Sequence, residues 1–149
     1  MSNDDPPWPF ARAERGAMAE RASRKYDLED RLLRFTERIL EVVEALPASR
    51  VGSHIAGQLT RCGASPLANY AEAQGGESRA DFIHKLGVAL KELRETRVWL
   101  LLIQRKALAG PGDRLQPLVE ECGELISILF ASIRTAKRKK GSEAERGPL

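Results

Sequence analysis

From Asp27 onward, apolar and polar residues alternate along the chain with a period close to that of an α-helix. Leu28, Leu32, Phe35, Ile39, Val42 and Leu46 recur at steps of four and three, and Leu33, Leu40 and Val43 widen the stripe, as one face of an amphipathic helix requires. Asp27 can cap this helix, Asp30 strengthens its first turn and Pro47 ends it. A second run opens near Ser49 and passes through Val51, Ile55, Leu59 and Cys62 until the double glycine Gly75-Gly76. Ser78 followed by Asp81 reads as a helix N-cap. The helix it opens runs to about Ala109 on a stripe of Phe82, Leu86, Ala89, Leu93, Leu100, Ile103 and Ala107. The turn Gly110-Pro111-Gly112-Asp113 then leads into a fourth stripe: Leu115, Leu118, Cys122, Leu125, Leu129, Ile133 and Ala136. Pro117 is tolerable in the first turn of that helix.

Four long helices joined by connections of a few residues predict an all-α, antiparallel up-down-up-down four-helix bundle. The bundle spans residues 27–140. Before it lie residues 1–26, a Pro-rich arm (Pro6, Pro7 and Pro9 around Trp8) followed by an Ala- and Arg-rich segment in which helix is permitted; after it comes a solvated tail, 141–149. The third and fourth helices carry more aliphatic side chains than one face can hold: Val98, Trp99, Leu101 and Leu102 on one, Ile126, Ile128 and Phe130 on the other. An isolated bundle would leave some of these wet, so a further interface is expected, most simply self-association.

The second predicted helix also contains a proline, Pro66, and a line of polar residues. Gln58, Arg61, Ser65, Asn69 and Glu72 advance by three, four, four and three, so they form one stripe. A solvated face would be richer in Lys and Glu. The mixture instead predicts an interhelical polar network, with Arg61 and Glu72 paired to groups such as Glu92, Glu95 or Lys91 on the third helix, fixing register more than adding stability. Pro66 has no N–H for the carbonyl of Cys62, and a kink is expected there.

Composition narrows the picture. Of 149 residues, 42% are hydrophobic, 30% charged and only 5% aromatic, which suits one soluble helical domain rather than a sandwich or barrel. The longest uninterrupted apolar run, 98–103, is far short of the roughly 20 residues a membrane span needs. A cytoplasmic protein with no membrane partner is the expectation. Cys62 and Cys122 sit at apolar helical positions and read as reduced core residues.

Catalysis demands a nucleophile, an acid–base pair, a metal set or a phosphate cradle. His54 and His84 are the only histidines, and no paired Glu-x-x-His, Cys-x-x-Cys or Walker loop is present. No enzyme activity, cofactor or metal is therefore expected. Basic residues are a stronger signal. Residues 78–112 hold seven basic and three acidic residues, and Arg134, Lys137, Arg138, Lys139 and Lys140 cluster where the fourth helix is expected to end. Cations there also favour the helix dipole, a sufficient structural reason for them. With Arg79, Lys85, Arg105 and Lys106 they can contact phosphates, giving salt-sensitive binding with little sequence readout. No aromatic platform for stacking single-stranded bases is visible.

The segments "LPASRVGSHIAGQLTRCGASPLANYAEAQGGESRADFIHKL" and "ALKELRETRVWLLLI" resemble the four-helix-bundle family of the ribosomal RNA intervening-sequence protein. That family includes the accessory variability determinant of diversity-generating retroelements. The resemblance covers residues 26–135 and is most specific at the Gln58, Arg61, Ser65, Asn69, Glu72 series, at Asp81-Phe82, and at Lys91-Glu92 with Glu95. It implies a homopentamer of antiparallel bundles without known catalytic activity. In the retroelement accessory it implies a basic barrel that associates with reverse transcriptase and nucleic acid. The expected function is a non-enzymatic oligomeric adaptor that binds RNA or DNA, with a nucleic-acid-processing protein as partner. The alternative is a ring that organises proteins without nucleic acid.

Overall fold

The computed structural model describes the backbone of residues 11–145 and the side chains of 27–139 and 141. The Pro-rich segment 1–10, Lys140's side chain and the end of the tail lie outside the described residues. Four α-helices follow one another: α1 Ala11–Ala45, α2 Arg50–Gln74, α3 Arg79–Lys106 and α4 Gln116–Glu145, with a 3₁₀ turn at Gly112–Leu115. Among the described residues there is no strand. Helix α1 runs unbroken through residue 26, so the Ala- and Arg-rich segment is helical from Ala11 and continuous with the bundle, while α4 continues past residue 140.

Local chemistry sets the ends. Ser49 has extended backbone and its side chain accepts from the Gly52 N–H at 3.0 Å; Ser78 does the same for the Asp81 N–H at 3.1 Å, so each satisfies a donor that the first helical turn cannot. Helix α3 stops three residues earlier than its stripe suggests. Ala107 takes the left-handed conformation (φ 49°), and the N–H of Leu108 donates back to the carbonyl of Ile103 at 3.1 Å, a backbone closure that ends a helix without a glycine at that position. Helix α2 continues through Pro66, which is buried.

Register follows from pairs that cross between helices. Arg61 meets Glu92 and Glu95, and Glu72 meets Lys85, so numbers rise along α2 as they fall along α3. Cys122 lies against the carbonyl of Leu93, and Gln116 against Gln104, which makes α3 and α4 antiparallel. Arg31 of α1 is bidentate to Glu121 of α4 at 3.0 Å and also reaches Glu124 at 2.8 Å, closing the bundle.

The inside is a single cluster built from the predicted stripes: Leu32, Phe35 and Ile39; Ile55 and Leu59; Leu86, Leu93, Leu100 and Ile103; Leu118, Cys122, Leu125 and Leu129. Helices α1 and α2 meet closely at Gly63. A Cβ there would lie 2.6 Å from Cγ2 of Ile39, so α1 and α2 approach at a distance only glycine permits. Gly63→Ala is expected to destabilise by about 1–3 kcal/mol despite alanine's better helix propensity; denaturant unfolding that leaves the midpoint unmoved would show that α1 yields freely.

Candidate nucleic-acid interface

The polar stripe on α2 lies along its seam with α3. The Arg61 guanidinium donates to Glu92 Oε2 at 3.1 Å, to Glu95 Oε1 and to Gln58 Oε1 at 3.3 Å. Glu95 also accepts from the Trp99 indole N–H at 3.4 Å, and Trp99 meets His54 edge-on, ring centroids 6.2 Å apart. Partial desolvation lowers the Arg61 pKa, but the carboxylates of Glu95 and Glu92 more than offset it and hold it above the ordinary value. One turn further along α2, the Asn69 side-chain amide donates to the Ser65 carbonyl at 3.0 Å and to its hydroxyl at 2.9 Å. Those bonds stay within one helix.

Ser65 and Asn69 thus do not join the expected interhelical network, and Lys91 and Glu72 depart from it as well. Lys91 is exposed and takes no part in it. Glu72 reaches Lys85 instead, at 2.7 Å, and that hydrogen bond raises the Lys85 pKa. The physical reason is register: Glu72 is three turns beyond Arg61 on α2, so its antiparallel partner lies three turns nearer the start of α3 than Glu95. Lys85 is thereby engaged within the fold rather than free for a phosphate. Arg61→Ala is expected to lower Tm and loosen the α2–α3 register, because Glu92, mostly shielded from solvent, loses its cation; unchanged melting and unchanged mass would contradict that role.

The remaining basic candidates do not form one patch. Arg105 and Lys106 are exposed in the last turn of α3. Arg79 opens the same helix, about 40 Å away at 1.5 Å per residue. Arg134, Lys137, Arg138 and Lys139 are exposed on α4, whose C-terminal half lies at the Arg79 end because α3 and α4 are antiparallel. Arg79 and Lys139 have interaction partners of their own. Among the described residues, Arg134, Lys137 and Arg138 have no ion pair.

Their place in the helix differs from the expectation too. Helix α4 continues to Glu145, with no basic residue in its last turn. The dipole's influence fades within about one turn of the end, and Arg134 is three turns away, so helix capping does not account for this cluster. Between Glu124 and Glu143 the chain has no acidic residue. Among the described residues, no carboxylate pairs with Arg134, Lys137 or Arg138, and the face carries a positive field.

An aromatic ring sits within it. Phe130 is 51% exposed, one turn before Arg134. With Ile133, Arg134, Lys137 and Arg138 it lines a cavity of about 370 Å³ on the surface. Phe130 reads in the sequence as part of the fourth helix's apolar surplus, and only the packing shows which surplus residues stay outside. A second concavity, about 750 Å³, has Phe82 and Ile128 in its lining together with Arg79 and Lys139.

Neither thiol suits chemistry. Both are buried and unpaired by any disulfide, and burial pushes the Cys122 pKa up to about 12, leaving it neutral and inert at physiological pH. Among the described residues, no group of three or more His, Cys, Asp or Glu side chains converges. No described helix is long and apolar enough to cross a membrane.

Comparison with known proteins places this geometry. The family model described as 23S rRNA-intervening sequence protein matches residues 24–131, a span that holds α2, α3 and the α2–α3 network and stops three residues before Arg134. A crystal structure of a protein of unknown function from the S23 ribosomal protein family of Bacteroides thetaiotaomicron is similar, with 32% sequence identity and a TM-score of 0.67. The similarity covers 74% of this chain and 97% of that one. No curated protein matches the chain.

Proposed function

Because the chain belongs to the 23S rRNA-intervening sequence protein family, we propose that it is a non-enzymatic, oligomeric helical adaptor that binds nucleic acid, RNA or DNA, through the C-terminal half of α4. The observation that carries this reading is the set Arg134, Lys137 and Arg138, exposed, without acidic partners among the described residues and too far from the helix end to be explained as capping. Such cations neutralise phosphates and bind by counterion release, largely without regard to sequence. The family's name, with its reference to ribosomal RNA, is consistent with RNA as the polyanion.

The assembly we propose is a homopentamer, the state that the resemblance to the intervening-sequence protein family implies. The surface that supports self-association lies around the His54–Trp99 contact. Val51 lies one turn before His54 on α2, and Leu102 about one turn after Trp99 on α3, so antiparallel pairing brings them together with Val98, which is 65% exposed. An apolar patch on a soluble surface marks a contact with protein. This patch is at the opposite end of α3 from the basic one, so self-association and nucleic-acid binding do not compete. A partner that processes nucleic acid, such as a reverse transcriptase, would then meet an adaptor already holding its substrate.

The same patch favours a second reading, a ring that organises other proteins without nucleic acid. One experiment separates them. Fluorescence anisotropy of labelled RNA and of labelled DNA at low salt, with light scattering for the mass, is run on the full chain and on a chain lacking residues 1–10. Binding that survives the truncation, on an oligomer, supports the adaptor. Absence of binding to either nucleic acid rejects it in favour of the ring.

A further inference from the structure

We infer that the exposed face of α4 around Phe130 is a single-strand site, in which an unpaired base stacks on the Phe130 ring while Arg134, Lys137 and Arg138 hold the flanking phosphates. The inference rests on the nucleic-acid reading above and adds the form of the ligand.

The first ground is the ring itself. Phe130 is one of four phenylalanines in the chain, and its exposure is 51% where Phe35 is 1% exposed. A large apolar ring left half in water has a face available for contact. Its neighbours define what that contact is. Ile133 supports the helix side of the cavity, and the other described lining residues are Arg134, Lys137 and Arg138. On a helix these follow Phe130 by one turn and by about two turns, roughly 6 to 12 Å along the axis. They share its side of α4.

Beside Ile133, the described lining around the ring is three cations, whose alkyl stems flank it, with no acid among the described lining. The chemistry that matches is a flat π-face next to a polyanion. Single-stranded nucleic acid supplies both at once, because its bases are free to splay out and every base has a face that stacks on an aromatic side chain. A duplex supplies only the phosphates. Its bases are already stacked on one another, so it would gain from the arginines and lysine but nothing from the ring. The depression of about 370 Å³ beside the ring leaves room for a flat group to lie against it.

The test uses the full chain with two probes at one salt concentration: a single-stranded RNA of about 16 nucleotides and the same strand annealed to its complement. Wild type and the variants Phe130→Leu and Phe130→Tyr are compared, with thermal melting and sedimentation on each. The expected result is roughly tenfold weaker single-strand binding in Phe130→Leu, no change in duplex binding, recovery in Phe130→Tyr, and unaltered melting and mass. If Phe130→Leu binds the single strand as wild type does, or loses both probes equally, the stacking site is wrong while the broader reading stands. If wild type binds neither probe, or the basic face captures anionic vesicles in their place, both readings fall. A change of mass in Phe130→Leu without a change in RNA binding would reassign the ring to self-association.

Discussion

Phe35→Ala is expected to lower the free energy of unfolding by about 3–5 kcal/mol. The side chain is 1% exposed and lies on α1 between Leu32 and Ile39, both fully buried. Truncation removes most of a buried aromatic ring and leaves a cavity that the flanking residues fill poorly, because α1 is held against α2 at the Gly63–Ile39 approach and against α4 by Arg31 with Glu121 and Glu124. It cannot slide inward without breaking those contacts. Total stability for a domain is about 5–15 kcal/mol, so a large share is lost. Denaturant unfolding at one fixed protein concentration measures it, since melting of an oligomer depends on concentration; a loss below about 1 kcal/mol would mean that the helix repacks.

Replacing Arg134, Lys137 and Arg138 together by Gln acts in the opposite way, on binding and not on folding. All three are exposed on α4, and Gln is a good helix former, so melting should hardly move. Each phosphate contact with a single strand contributes about 0.7 to the slope of log K against log salt. Three contacts at 0.1 M, tenfold below 1 M, then amount to about a hundredfold in affinity. The triple variant should bind RNA about that much more weakly, by anisotropy at 0.1 M salt, while a control triplet at Lys91, Arg94 and Arg97, exposed on α3, costs far less. Equal losses in the two triplets would spread the interface over the whole surface.

Much of the fold is legible in the order of the residues. The steps of four and three place Leu32, Phe35, Ile39, Leu59, Leu86, Leu93, Leu125 and Leu129 inside, and each is buried, because a helix fixes which residues share a face. Ser49 and Ser78 sit at the starts of their stripes and act as the caps those positions imply. What the pattern does not reveal is set by geometry between helices. Leu33 and Leu40 widen the first stripe yet stay exposed, since α1 has neighbours on only part of its circumference. The partner of Glu72 depends on the α2–α3 register, which no single-helix pattern encodes, and so Lys85 rather than Lys91 fills the role. The α3 terminus turns on a left-handed Ala107, a conformation that alanine's side chain does not announce.

The candidate site is half legible in the same way. The basic run stands out directly, but its meaning depends on where α4 ends: a terminus near Lys140 makes it helix capping, and a terminus at Glu145 leaves it unexplained by the fold. Phe130 is hidden for the same reason as Leu33. It is apolar and helical, and only the arrangement of the other three helices decides that it faces water.

The most direct test of the account is the salt dependence of RNA binding by the full wild-type chain, read as log K against log salt from low salt to about 0.2 M. Three phosphate contacts on a single strand give a straight line falling with a slope of about −2 or steeper. A flat line, or no binding at the lowest salt, would contradict the proposal that the α4 face binds nucleic acid.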